Sequence, residues 1–270
     1  MDRPPTVPKR LHRPARVWHL ARFQLRAITN WPHLSYNIFV DPMLYLVLFA
    51  VGIAATAKPI HFRGVEMSYI EFFIPGLLSI QGLRFFSRVI FDSSNDLKWG
   101  MYRLAVLMGC TPADYMLSRL VSGALVYSLQ GCLLVATGTL FAGEPIVVLA
   151  RLPGMVAIGC LGLVLWLCLG MVLGVRIRSY ARRDFLSTVV TLPVMFGSSA
   201  FFPTEGAPLY LRVLATVNPL TYHADALRLA FIGEQVWLSV ELGLVALLTG
   251  VASLFCVWML RRAVLVSGER

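Results

Sequence analysis

Charge is scarce in this sequence. Only 14% of its 270 residues are charged and 57% are apolar, whereas a soluble domain carries about 25% charged residues. That scarcity excludes an ordinary solvated globule, and a mean hydropathy of +0.71 agrees. Acidic residues are scarcer still, 14 against 24 Lys and Arg, for a net charge of +10. A basic excess can signal nucleic acid. Here the basic residues lie between apolar blocks, a distribution that suits one face of a membrane, so no nucleic-acid partner is expected. Cysteine is sparse. The five, at 110, 132, 160, 168 and 256, show no CxxC spacing, and four lie inside apolar blocks, which argues against a disulfide framework. No GxxxxGK[ST] loop is present to cradle phosphates, so any ATP used must be hydrolysed by another chain. HExxH and GxSxG motifs are missing too, and His12, His19, His33 and His61 are scattered. The first apolar block begins only near Tyr36, so no cleavable signal peptide is expected.

What the chain does have is long apolar runs. A helix needs about twenty apolar residues to cross a bilayer. Six runs qualify as crossings: 36–57, 68–90, 116–141, 153–175, 185–203 and 236–260. The second is the least apolar, with Glu71, Pro75, Gln81, Arg84 and Arg88, and the fifth is short and interrupted by Pro193. Lys and Arg in the connections orient the set. Residues 1–35 hold seven, the second-to-third connection five, the fourth-to-fifth four and the C-terminus three. Nineteen therefore lie on one side against five on the other, which predicts both termini in the cytoplasm. The pattern predicts an all-α membrane protein of six transmembrane helices, with an N-terminal amphipathic interface helix and a re-entrant helical hairpin before the last crossing.

The interface helix is read from residues 16–31. Val17, Trp18, Leu20, Ala21, Leu25, Ala27, Ile28 and Trp31 share one face, and Arg16, His19, Arg22 and Arg26 the other. Such a helix lies along a membrane surface; the alternative is a solvated basic arm. Four prolines in residues 1–14 predict a segment without packed structure.

Several polar features stand out. Gln81, Arg84, Arg88 and Asp92 recur at spacings that keep them within about 80° on a helix. Either they line a cavity at the cytoplasmic end or the helix has left the membrane by Arg84. The connection 93–119 is amphipathic, with Leu97, Leu104 and Leu107 among charges such as Lys98 and Arg103. It is a candidate docking element or an ordinary interfacial loop. Gly170 and Gly174 form GxxxG, preceded by Gly159 and Gly162, which indicates close helix packing within the chain or between subunits.

The stretch VNPLTYHADALR (217–228) admits a catalytic cluster, a metal site or a polar cap. His223 and Asp225, two apart on a helix, diverge by about 200° and cannot share one ion. Asn218-Pro219 reads as an N-cap followed by proline at the first helical position, and Asp225 and Arg228 as an (i, i+3) pair. With the half-length segment 201–217 this predicts a hairpin dipping into the outer leaflet.

DPMLYLVLFAVGI (41–53), YIEFFIPGLL (69–78), LMGCTPADYMLSRLVSGAL (107–125) and SSAFFP…VNPLTYHADALR (198–228) occur in that order. In this the chain resembles the ABC-2 type permease subunits of ABC exporters, especially daunorubicin/doxorubicin-resistance and nodulation lipo-oligosaccharide permeases. The resemblance implies an interface region 1–35 and a transmembrane domain 36–270, with a coupling helix about 94–112 and an outer re-entrant region about 203–235. It implies docking of a separate ATPase, which holds ATP and Mg, through Arg16, Arg22 and Arg26 and through Trp99, Arg103, Leu104 and Leu107. Gln81, Arg84 and Arg88 are candidate path lining. Asn218, Pro219 and Tyr222 match the outer hairpin motif, with His223, Asp225 and Arg228 beside them. No cofactor or metal is expected on this chain itself.

The implied function is export of an amphiphile (a drug, lipid or lipid-linked glycan) across the inner membrane, with a second permease copy or paralogue and membrane lipids as further partners. One departure stands out: GMYRLAV (100–106) carries Tyr102 where many family members carry Glu. The rival reading is an intramembrane lipid-modifying enzyme using Asp41, Glu71, His223, Asp225 or Glu241.

Overall fold

A long central helix organises the molecule. The computed structural model describes residues 12–266 apart from 31, 55, 57, 144 and 178. Most of the proline-rich arm, and Trp31 of the first apolar face, lie outside the described residues. Helix α1 (Arg13–Asn30) leads to α2 (Pro32–Leu44), which continues through a π-helical stretch, Tyr45–Val51, into α3 (Gly52–Ala54). Strands β1 (Ile60–Phe62) and β2 (Val65–Met67) precede α4 (Tyr69–Lys98), the short α5 (Met101–Leu107) and α6 (Pro112–Ala142). Then come α7 (Leu152–Arg176), α8 (Tyr180–Phe196), α9 (Leu209–Val217), α10 (Pro219–Ile232) and α11 (Val240–Val266).

Local chemistry sets the boundaries. Ser68 and Glu71 form a capping box at the start of α4, and Thr111 and Asp114 form another at α6, where Pro112 takes the first turn. Each box satisfies two backbone N–H groups that a helix start leaves orphaned. The β-hairpin is a departure from the all-helical expectation. It turns on Arg63 and Gly64, both at positive φ, as a two-residue hairpin turn requires. Antiparallel pairing sets Ile60 against Met67 and Phe62 against Val65.

Three helical segments are long and apolar enough to cross a membrane by length and composition: Pro112–Ala142, Leu149–Arg176 and Val240–Arg262. The other expected crossings fall on the shorter apolar stretch Ile38–Ala54, on the polar-striped α4 and on α8, which has 17 residues. Helix α8 stops at Phe196, short of the expected residue 203. Pro193 interrupts its last turn, and the carbonyls of Ser199 and Ala200 accept hydrogen bonds from Arg228 rather than continuing a helical ladder.

Helix α4 packs against α6, α7, α8, α10 and the π-helical stretch. Between helices in lipid the gain comes from close van der Waals contact rather than from exclusion of water. Glycines supply it. A Cβ on Gly170 would lie 2.7 Å from the Phe86 carbonyl oxygen, and one on Gly174 would lie 2.8 Å from that of Ile90. The GxxxG pair therefore seats α7 on α4 within the chain. On the opposite end of α4, a Cβ on Gly76 would lie 2.1 Å from the carbonyl oxygen of Ala200.

Candidate functional site

Three polar regions are set on this frame. The first is an elbow. Helix α4 runs unbroken to Lys98, so the 93–119 connection is the tail of α4, then α5, then the start of α6. Gly100 (φ 70°) and Gly109 (φ 85°) turn the chain on either side of α5, a left-handed geometry that glycine adopts without steric cost.

Helix α5 is two-faced. Tyr102 (4% exposed) and Ala105 point inward, and the Tyr102 ring lies 4.9 Å from that of Tyr115, edge-on. The Tyr102 hydroxyl donates to the carbonyl of Leu260 at 3.4 Å. Burial, with a smaller contribution from Cys256, pushes that hydroxyl up to about 12. Tyr102, the departure singled out in the sequence, is thus an inward anchor. Outward lie Trp99, Met101, Arg103, Leu104, Leu107 (78% exposed) and Met108. These side chains form an exposed, largely apolar cluster with Arg103 among them.

Helix α1 braces the elbow. Val17, Ala21 and Ile28 are buried, and α1 packs along α6. Arg13 bonds Asp114 at 2.8 Å, while Arg16 donates to the Gly109 carbonyl at 2.6 Å and pairs with Asp114 at 3.4 Å. Gln24 donates to Ser118 and accepts from Ser122. Of the basic residues expected to dock, Arg16 is therefore held on the elbow, and Arg22 and Arg26 stay exposed farther along α1. Trp18 is half exposed rather than buried with its apolar neighbours.

The second region is a cavity of about 930 Å³ alongside α4. Gln81, Arg84, Arg88 and Asp92 all line it, with Phe85 and Phe91 as apolar wall. These four polar residues share one face of α4. Arg84 bonds Asp41 of α2 at 3.0 Å and lies over the Tyr45 ring at 5.0 Å. Arg119 of α6 bonds Asp92 at 2.6 Å and also Asp96. Arg88 is left with Asp92 at 3.8 Å. Gln130 and Asn95 also face this space. The sequence argument missed both: Asn95 extends the α4 stripe by one turn, whereas Gln130 and the Asp41–Arg84 pair come together only across helices.

The third region is the turn between α8 and α10. Asn218 closes α9 and caps α10: its side-chain oxygen accepts from Leu220 N–H at 3.0 Å, and its amide donates to the Val194 carbonyl at 2.7 Å. Pro219 takes the first helical position, and the Tyr222 hydroxyl donates to the Thr216 carbonyl. Arg228 bonds Asp225 at 2.6 Å. His223 is fully buried, and Gly162 and Gly82 give its ring room: a Cβ on Gly162 would lie 2.2 Å from Cε1. His223 and Asp225 face different surroundings, and among the described residues no three His, Cys, Asp or Glu gather as a metal set.

The carboxylates an enzyme would need are each committed to a separate partner: Asp41 to Arg84, Glu71 to the α4 cap, Asp225 to Arg228 and Glu241 to Arg63. Comparison with known proteins agrees with transport. The family described as ABC-2 type transporter matches residues 16–232. The chain is also 25% identical over 209 residues to "Putative transport permease ycf38" of Cyanophora paradoxa, covering 74% of this chain and 68% of that one. With a family match that runs from the bracing helix α1 through the elbow, the cavity and the capped turn, the chain belongs to the ABC-2 type transporter membrane family.

Proposed function

We propose that this chain is the permease subunit of an ATP-driven exporter that moves an amphiphilic substrate out of the cytoplasm or the inner leaflet. The observation that carries the reading is that one rigid helix, α4, lines a mixed polar and apolar cavity along one stretch and ends at an exposed apolar elbow. Motion imposed at the elbow reaches the cavity through continuous helix, without an intervening loop. A separate subunit binds ATP and Mg, docks on Trp99, Arg103, Leu104 and Leu107, and is flanked by Arg22 and Arg26 of α1. Arg16 acts from within, holding α1 to the elbow.

In this reading six segments cross the inner membrane: the stretch from α2 through α3, then α4, α6, α7, α8 and α11. Both termini are cytoplasmic. Helices α9 and α10 form the re-entrant hairpin in the outer leaflet, fixed by Asn218, Pro219 and Tyr222. A second copy, or a paralogue, completes the path on the open side of the cavity. The test is co-expression with candidate ATPase subunits and ATP-driven uptake of substrate into inside-out vesicles, the direction that corresponds to export from the cell. ATP-dependent transport that needs both chains, and that is lost in Leu107→Asp, supports the reading. A chain that exports without any ATPase subunit overturns it.

A further inference from the structure

Three arginines (84, 88 and 119) meet three aspartates (41, 92 and 96) around the cavity, but they do not pair evenly. Asp41 is taken by Arg84 at 3.0 Å, and Asp92 and Asp96 are both taken by Arg119. Arg88, between them on α4, keeps only a 3.8 Å approach of its Nε to Asp92. Its Nη1 is enclosed and has no hydrogen-bond partner among the described residues. Two turns earlier on the same face, Gln81 is 2% exposed and its amide nitrogen likewise has no partner. Enclosed donors left unmade are costly, and a charged one costs the most. Both line the same cavity, beside the rings of Phe85 and Phe91. Its volume of about 930 Å³ falls within the range of about 300–1,000 Å³ typical of ligand pockets.

We propose that the cavity takes the anionic oxygen group, a phosphate or carboxylate, of an amphiphile, with Arg88 as its anchoring cation and Gln81 as a second donor. This rests on the reading of the cavity as the transport path. The guanidinium supplies paired N–H donors matched to two oxygens of one anion. The aromatic wall takes the adjoining chain. Arg84 and Arg119 keep their own carboxylates and set the site's position on α4.

The test uses the full chain purified in maltoside detergent and titrated with oleoyl lysophosphatidic acid, oleoyl lysophosphatidylcholine and inorganic phosphate, read by native mass spectrometry. The phosphate-monoester lysolipid is expected to bind about tenfold more tightly than the zwitterionic one of the same chain, one factor of ten in affinity. Arg88→Gln removes that preference, Arg88→Lys keeps part of it, and Lys58→Gln leaves it unchanged. Equal affinity of the two lysolipids for the unaltered chain overturns the proposal, and that comparison holds even if Arg88→Gln does not fold. A folded Arg88→Gln that keeps the preference overturns it too. Inorganic phosphate competing at concentrations similar to the lysolipid overturns the amphiphile half. ATPase-coupled export of a cationic amphiphile, with no preference between the lysolipids, sinks the anion site and leaves the permease reading standing. A clear preference in a chain that no ATPase subunit drives sinks the permease reading alone.

Discussion

Two arginines, the buried Arg228 and the half-buried Arg88, make an instructive pair. Arg228 is 1% exposed and uses every donor it has. Its Nε donates to the Phe72 carbonyl, Nη1 to Ser199 Oγ and Asp225, and Nη2 to the carbonyls of Ser199 and Ala200. The guanidinium also lies 3.7 Å over the Phe72 ring. Five donors meet five acceptors, the full capacity of the group. Arg88 sits on the same helix bundle with one distant carboxylate and an unmet donor. A saturated arginine holds a fold together, pinning the α8–α10 turn to α4. An unsaturated one beside a cavity is poised for something that arrives from outside.

The largest expected effect tests the saturated side. Arg228→Leu leaves the half-buried Asp225 with only the Ser199 hydroxyl and frees three backbone carbonyls, for a loss of about 3 kcal/mol. Denaturation in detergent should show this chain unfolding first, whereas Arg88→Gln should stay near the unaltered protein. A reversed order breaks the comparison. Next is Tyr102→Ala, which empties an inward site at the elbow for about 3 kcal/mol, against Leu107→Ala, which is exposed and should cost under about 0.5 kcal/mol. If the two change stability equally, the two-faced assignment of α5 fails. Gly76→Ala places a Cβ against the Ala200 carbonyl and should cost about 1–3 kcal/mol through overpacking, read as a lowered melting temperature. The smallest effect expected at a buried position is that of Tyr102→Phe. It removes only the bond to the Leu260 carbonyl, worth about 1 kcal/mol, and the same melts would resolve it.

The sequence revealed features whose physics is local. The members of Asn218-Pro219, and likewise those of the Asp225–Arg228 pair, lie within one helical turn, and the structure has both. The Gln81–Arg84–Arg88–Asp92 stripe needed only helical spacing, and all four line one cavity. The glycine pair at 170 and 174 was legible as a packing motif, but its partner α4 was not. What stayed hidden depends on distant residues. Arg228 reaches carbonyls on two other segments, and nothing near Arg119 in sequence announces Asp92 and Asp96 across the helix interface. Strands of three residues are too short for alternation to declare itself, so the hairpin on Arg63-Gly64 went unread. Helix α8 ends at Phe196, and beyond it the Ser199 and Ala200 carbonyls are bonded by Arg228 of α10, a contact no propensity encodes.

The central claim is that the elbow is the cytoplasmic contact through which a separate ATPase drives this permease. Its most direct test is impermeant maleimide labelling of Leu107→Cys in sealed inside-out vesicles, with the five native cysteines replaced. The account predicts rapid labelling from the cytoplasmic face when the permease is alone and protection when the ATPase subunit is present. Labelling only from the opposite face, or labelling that the ATPase leaves unchanged, would contradict it.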